Sequence, residues 1–408
     1  MKLLILTPQR PYPLHQGTTI RNFHIIAQLA KRHEITLLTF DPSPSMGGVD
    51  PLPTLCKHIK MLPVPQRTMM TRLWQMMTTN RPDMSWRLWS PAFNDMLKSC
   101  LEQTKFDVIQ IEGIEMAPYL PTIRQFAPKS HVVYDDHNAE WLLQYRNFST
   151  DIKIPHRWIG ALYSFIQTKR LKQYERWACQ SADTVIAVSE ADKRAILQLE
   201  QCLDITVVPN GVDVKKYSEY HGEVNSFDLV FTGKMDYRPN IDAMLWFADE
   251  VLPLILQTYP KSTLAIVGQK PHRRLNRLQH HPNITITGYV TDILPYIAGA
   301  KIYITPFRIG GGTRLKILQA MAMQKAIVTT TVGAEGFPVE DGKHMCFADT
   351  PHDMANLISS LFEKPIKRKE LGKHAYQFVA TQYDWQQLIP KMETWDVLNS
   401  DDFKPKVF

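Results

Sequence analysis

A chain of 408 residues exceeds what one ordinary hydrophobic core fills and suits two domains of about 200 residues each. Its composition, 44% hydrophobic, 10% aromatic and 21% charged, excludes wholesale disorder. The net charge of +7 favours anionic partners without choosing among nucleotides, nucleic acid and an anionic membrane face.

Short β-branched runs at residues 3–6, 35–40, 108–111, 132–134 and 184–188 alternate with longer helical patterns, which predicts βαβ units and a parallel sheet. Residues 42–65, rich in proline, read as a loop. A strand is then punctuated by Pro209 and the turn pair Asn210-Gly211, which puts a domain boundary near residue 205. The alternation resumes at 229–232, 264–267, 284–287, 302–305 and 327–330. Residues 376–398 read as helical, with Trp385, Leu388, Ile389, Met392 and Trp395 able to share one face. The expected division is a first domain over 1–204, a second over 205–385, and a helix and tail over 386–408 that pack back toward the first domain. The fold class is α/β, with two doubly wound halves.

No stretch approaches the roughly 20 apolar residues of a membrane span, and the opening apolar run is too short for a signal peptide before Pro8 and Arg10. A cytoplasmic location is expected. The five cysteines, Cys56, Cys100, Cys179, Cys202 and Cys346, are odd in number and never form Cys-x-x-Cys. Neither a disulfide framework nor a zinc site is indicated.

The strongest local signal runs from Ile302 to Lys316: a strand, then Pro306-Phe307-Arg308-Ile309, then Gly310-Gly311-Gly312, then a helix start at Thr313-Arg314-Leu315-Lys316. Glycines let backbone approach phosphate oxygens, the helix start offers unpaired N–H groups, and Arg308, Arg314 and Lys316 add charge, so a diphosphate fits. A plain strand-to-helix turn with solvated basic residues would use the same run. The loop matches neither Gly-x-x-x-x-Gly-Lys-Ser/Thr nor Gly-x-Gly-x-x-Gly, which counts against ATPases and dehydrogenases. His137 follows the strand at 132–134, at the carboxyl end where open α/β sheets place ligands.

Two segments, 57–89 and 153–177, are basic and aromatic. They suit contact with an anionic lipid surface; alternatively, their tryptophans are core and their charges a solvated face.

In order along the chain stand Pro11-Tyr12-Pro13 with Gly17 and Arg21, Asp136-His137-Asn138-Ala139-Glu140, Ala182-Asp183 through Val188-Ser189-Glu190, Val208-Pro209-Asn210-Gly211-Val212-Asp213, Phe231-Thr232-Gly233-Lys234, and residues 306–322. This series resembles the retaining glycosyltransferases of family 4, over nearly the whole chain. The resemblance implies the GT-B architecture, two Rossmann-like domains facing across a donor cleft. It implies a nucleotide-sugar donor, a UDP- or GDP-sugar, no permanently bound cofactor and no metal. The acceptor would be a saccharide, a lipid-linked saccharide or a small molecule, and nucleic acid is not an expected partner.

Carried over residue by residue, the resemblance gives His137 contact with the donor sugar and Lys234 the leaving diphosphate. Gly17, Gly310, Gly311, Gly312, Thr313 and Arg238 would meet phosphate. Gln319, Lys316 and Gly233 would lie by the nucleotide, and Arg21 and Gln16 on the acceptor side. Four positions depart from the pattern, the first being Lys234 itself, where an arginine is common. Pro239 stands where a second lysine is common, and the usual Glu-x7-Glu pair falls on Gly311 and Gln319. Gln319 is expected to weaken or redirect donor binding, because charge-assisted hydrogen bonds are about twice as strong as neutral ones. The implied chemistry is a front-face transfer, in which a departing diphosphate oxygen helps to deprotonate the acceptor. A catalytically weak nucleotide-sugar-binding subunit and a GT-B-type sugar-nucleotide epimerase are the alternatives.

Overall fold

The structure, a computed structural model, describes residues 1–14, 16–41, 50–152, 158–310, 313–393 and 395. The chain forms two compact units, one of Met1–Pro209 with the segment from Ile389 onward, the other of Asn210–Leu388.

The first unit is built on a parallel sheet of β1 (Lys2–Thr7), β2 (Glu34–Asp41), β3 (His58–Pro63), β4 (Val108–Glu112), β5 (His131–Asp136), β6 (Thr184–Ala187) and β7 (Ile205–Val207). Their order across the sheet is β3-β2-β1-β4-β5-β6-β7. The central strands are buried along almost their whole length, so they read as mostly apolar runs, as strands covered on both faces do. Leu4, Leu6, Ile109, Ile111, Val132 and Tyr134 anchor one core cluster beneath them.

The second unit carries β8 (Phe227–Thr232), β9 (Leu264–Val267), β10 (Ile284–Gly288), β11 (Ala300–Thr305), β12 (Ala326–Thr329) and β13 (Cys346–Phe347), ordered β10-β9-β8-β11-β12-β13. Every recorded strand pair in both sheets is parallel. Two doubly wound, Rossmann-like domains result, as expected.

Three details differ from the sequence reading. Ile205–Val207, assigned there to the second domain, pairs with β6 and completes the first sheet. Within the expected loop 42–65, His58–Pro63 forms the edge strand β3. None of its residues is fully buried, so it offers no apolar run, and Pro63 is tolerated because it ends an edge strand. The helix Trp385–Met392 starts in the second unit, but the chain from Ile389 belongs to the first. The expected helix 376–398 is broken after Gln382; Trp385, Leu388, Ile389 and Met392 are buried on the second piece as their spacing predicts, and Trp395, past its end, is buried as well. In the first unit Glu393 accepts from Arg32 and, at 2.8 Å, from the His33 Nε2. Residues 394 and 396–408 of the expected tail lie outside the described residues.

Candidate functional site

Each sheet reverses its winding direction once, between β1 and β4 in the first and between β8 and β11 in the second. Open parallel sheets bind ligands at the carboxyl ends flanking such a reversal. Lys234 follows β8, and the glycine loop follows β11.

Gly310 has φ +96°, a left-handed conformation that favours glycine, and a side chain there would press on the ring of Pro239. The loop therefore stands against the first turn of the helix Arg238–Trp246. Gly311 and Gly312 lie outside the described residues. Past them Thr313 is partly buried, and the helix Leu315–Ala322 begins with no side-chain cap and no acid in its first turn. Its leading N–H groups and positive dipole end are open to an anion.

Lys316 reaches back from this helix toward β8. Its ammonium donates to Asn240 Oδ1 at 2.9 Å and rests over the rings of Phe231 (4.2 Å) and Phe307 (5.1 Å). Gly233, at φ +153°, makes that approach possible: a Cβ there would lie 2.4 Å from the Lys316 Nζ. Asn240 also donates through Nδ2 to the Lys234 carbonyl at 2.7 Å, tying the two lysine segments together. The Arg314 guanidinium stacks 3.9 Å above Phe307 and donates to the carbonyls of Val332 and Gly333. Among the described residues no carboxylate pairs with Lys316 or Arg314. Burial drives the Lys316 pKa well below its ordinary value, and the charge of Arg314 adds to this. Burial also lowers Arg314. Two half-buried basic groups with no ion-pair partner among the described residues, Glu335 acting on Arg314 only through its charge, favour an anionic ligand, which would hold both in their charged forms.

The other basic residues divide differently. Arg308, expected to add charge to the loop, is instead taken up by Asp242 at 2.8 and 3.1 Å and lies over Trp246. Lys234 is exposed and 3.5 Å from Asp236, and Arg238 is exposed at the helix start. Gln319 donates from Nε2 to the Tyr217 hydroxyl at 2.7 Å, which leaves its Oε1 as the acceptor for a ligand hydroxyl. Burial lifts the Tyr217 phenol to about 12, keeping it a neutral hydroxyl.

In the first unit, Gly17 opens the helix Gly17–Leu29 behind β1, where the Thr19 hydroxyl accepts from the Gln16 N–H and donates to its carbonyl. Glu112 ends β4, Asp136 ends β5, and His137 follows directly. The His137 Nε2–H donates to Glu112 Oε2 at 2.8 Å, a direction fixed because an ionised carboxylate can only accept. Burial lowers the imidazole pKa, but the Glu112 hydrogen bond and the charges of Asp135 and Glu112 outweigh it, and the net shift is upward.

Arg21, expected on the acceptor side, is 2% exposed. It grips both oxygens of Asp135 at 2.9 Å and donates to the Val208 carbonyl at 3.0 Å, so its guanidinium holds the strand ends together and is not offered to an acceptor. Burial lifts Asp135 to about 6 against the pull of Arg21. Ligand-type atoms of Glu112, Asp135 and His137 lie within 4.8 Å of one another. Arg21 occupies both Asp135 oxygens and places a positive charge beside them, which opposes a cation there. Sequence reasoning missed Glu112; its one signal is an acid closing the apolar strand Val-Ile-Gln-Ile-Glu beside the winding reversal.

The chain is similar along most of its length to known proteins. An uncharacterized 44.6 kDa protein in the cps region of Klebsiella pneumoniae is 25% identical, covering 94% of this chain and 96% of that one. Sucrose-phosphate synthase from Thermosynechococcus elongatus shares the fold with a TM-score of 0.67 at 16% identity, covering 96% of this chain and 97% of its own. Anabaena HepE in complex with UDP does so with a TM-score of 0.62 at 17% identity, covering 96% and 98%. Residues 16–216 match Glycosyltransferase Family 4, and residues 226–364 match Glycosyl transferases group 1. With both halves matched in this order and the GT-B fold of two Rossmann-like domains, the chain belongs to the group 1 glycosyltransferases of the family 4 type.

Proposed function

We propose that this glycosyltransferase is a retaining, metal-independent hexosyltransferase that uses a UDP- or GDP-sugar. The observation that carries the reading is the pair of half-buried basic side chains Lys316, against Gly233, and Arg314, beside Gly310, neither ion-paired with a carboxylate among the described residues, at the winding reversal of the second sheet. There the Lys316 ammonium, the uncapped start of the helix Leu315–Ala322 and the Lys234 side chain take the charge that develops on the departing diphosphate. Lys316 thus supplies the second cation that Pro239 cannot. Gly17, Thr313 and Arg238 belong to the same phosphate reading, and Gln16 to the acceptor side. Gln319 Oε1 accepts from a ribose hydroxyl. His137, its ring fixed by Glu112, contacts the transferred sugar. Transfer on one face of the sugar, with a diphosphate oxygen receiving the acceptor proton, needs no pair of carboxylates flanking the scissile bond. Anabaena HepE is solved with UDP and with UDP-glucose, which favours a uridine donor here. A lipid-linked acceptor at an anionic membrane face, on the cytoplasmic side, completes the reading.

A thermal-shift screen of UDP-, GDP-, TDP- and ADP-sugars tests it. One donor class should stabilise the protein, and His137→Ala should keep that shift while transfer is lost. A shift with no turnover on any acceptor would instead favour a non-catalytic nucleotide-sugar-binding subunit.

A further inference from the structure

The helix Met69–Thr78 is amphipathic the wrong way round for a surface helix. At 100° per residue, Met69, Met70, Leu73, Trp74 and Met77 fall on one continuous arc. All five face solvent, with exposures from 47% to 81%. The opposite, polar side faces the protein: Gln75 accepts from Arg67 at 2.7 Å, and Arg72 lies 3.4 Å from Asp83. A helix that buried its apolar side for stability would be turned around.

The neighbouring helix Trp158–Ser181 repeats the anomaly. One face, with Ala161, Ser164, Thr168, Leu171 and Ala178, is buried against the first unit. The opposite face of its first half carries Trp158, Ile159, Leu162 and Phe165, exposed by 41% to 89%. Beside them, Phe148 of the preceding helix Glu140–Asp151 and Ile152 just past its end complete an open apolar cavity of about 460 Å³. The two helices are tied together, because Arg170 donates to the Met76 carbonyl at 2.8 Å and Gln167 accepts from the N–H of Asp83, which follows Met69–Thr78, at 2.9 Å. An apolar surface of this extent on a soluble domain marks an interaction site.

Charge identifies the partner. Residues 57–89 hold six lysines and arginines and one acid; Arg67 and Arg72 turn inward to Asp83, and Lys57 and Arg87 pair with Glu34 and Glu115, which leaves Lys60 and Arg81, and residues 158–172 add Lys169, Arg170 and Lys172 and no acid. The Lys169 ammonium stands over the Phe165 ring at 5.1 Å, its stem along the apolar face and its charge at the rim. Methionine, leucine and tryptophan on one side with basic residues around them is the composition of a helix lying in the headgroup layer of an anionic bilayer. We infer that the outward faces of Met69–Thr78 and of the first half of Trp158–Ser181 form a seat for an anionic lipid surface. The inference gives a location to the membrane-side acceptor proposed above, and its test needs no turnover.

Sedimentation of the full chain with vesicles is the experiment. The protein should pellet with mixed phosphatidylglycerol and phosphatidylcholine vesicles and stay in solution with phosphatidylcholine alone. Met70→Glu with Trp74→Glu, and separately Ile159→Glu with Leu162→Glu, should each reduce vesicle binding by about tenfold or more. Because these side chains are exposed, both variants should keep the wild-type melting temperature and donor-induced shift. Equal pelleting of wild type and variants, or none with either vesicle, would overturn the seat. A dimer in light scattering that both variants dissolve would overturn it in favour of a second copy of this chain.

Discussion

Glu112 never touches solvent, yet it decides what His137 can do. By accepting the Nε2 proton it fixes the ring so that Nδ1 is the atom left for a ligand, and its charge, with that of Asp135, holds the imidazole pKa above its ordinary value. Glu112→Gln keeps an acceptor but removes the charge, so the His137 pKa should fall. A proton NMR titration of the ring checks this, and an unmoved midpoint would contradict the pairing. At the other site, Gln319→Glu restores a charged acceptor while the Tyr217 hydroxyl can turn from accepting to donating. Donor affinity should rise by about 1 kcal/mol, roughly fivefold, in a calorimetric titration. These residues were unequally legible. His137 and the glycine run announce themselves by position after a strand, whereas Glu112 meets its partner across two strands. Lys316 reads as one more helix charge until Gly233 and Asn240, some eighty residues earlier, enclose its ammonium.

The segment carrying His137 is held by the elements around it. The N–H groups of Glu140 and Trp141, at the start of their helix, donate to Glu175 of the helix Trp158–Ser181 at 3.0 and 2.9 Å. Glu175 and Asp136 are both buried and their carboxyl groups interact; burial and mutual repulsion push Asp136 well up, and burial lifts Glu175 from its ordinary 4.5 to about 7. Between these two pH values the folded chain binds protons that the unfolded chain has released, so stability falls as pH rises through the window. Glu175→Gln should flatten that slope in melting temperatures measured from about pH 5 to 7. A slope as steep as the wild type's would place the proton elsewhere. Strand recognition had a similar limit. Central strands buried on both faces were plain as mostly apolar runs, while β3, a half-exposed edge strand ending in Pro63, hid inside a proline-rich stretch.

At the scale of the molecule, two parallel sheets with one winding reversal each place the candidate residues at strand ends. The alternation of strands and helices made this architecture readable. The exchange of elements at the junction was not, because Ile205–Val207 pairs with β6 through backbone hydrogen bonds that no side-chain pattern encodes. The central claim is that the second unit binds a nucleoside diphosphate through the Lys316 ammonium. Calorimetric titration of UDP and GDP into wild type and Lys316→Ala tests it most directly. One nucleotide should bind saturably to the wild type, and the variant should lose about 1.5–3 kcal/mol, roughly ten- to a hundredfold in affinity. Equal affinity in the two proteins, or no binding of either nucleotide, would contradict the account.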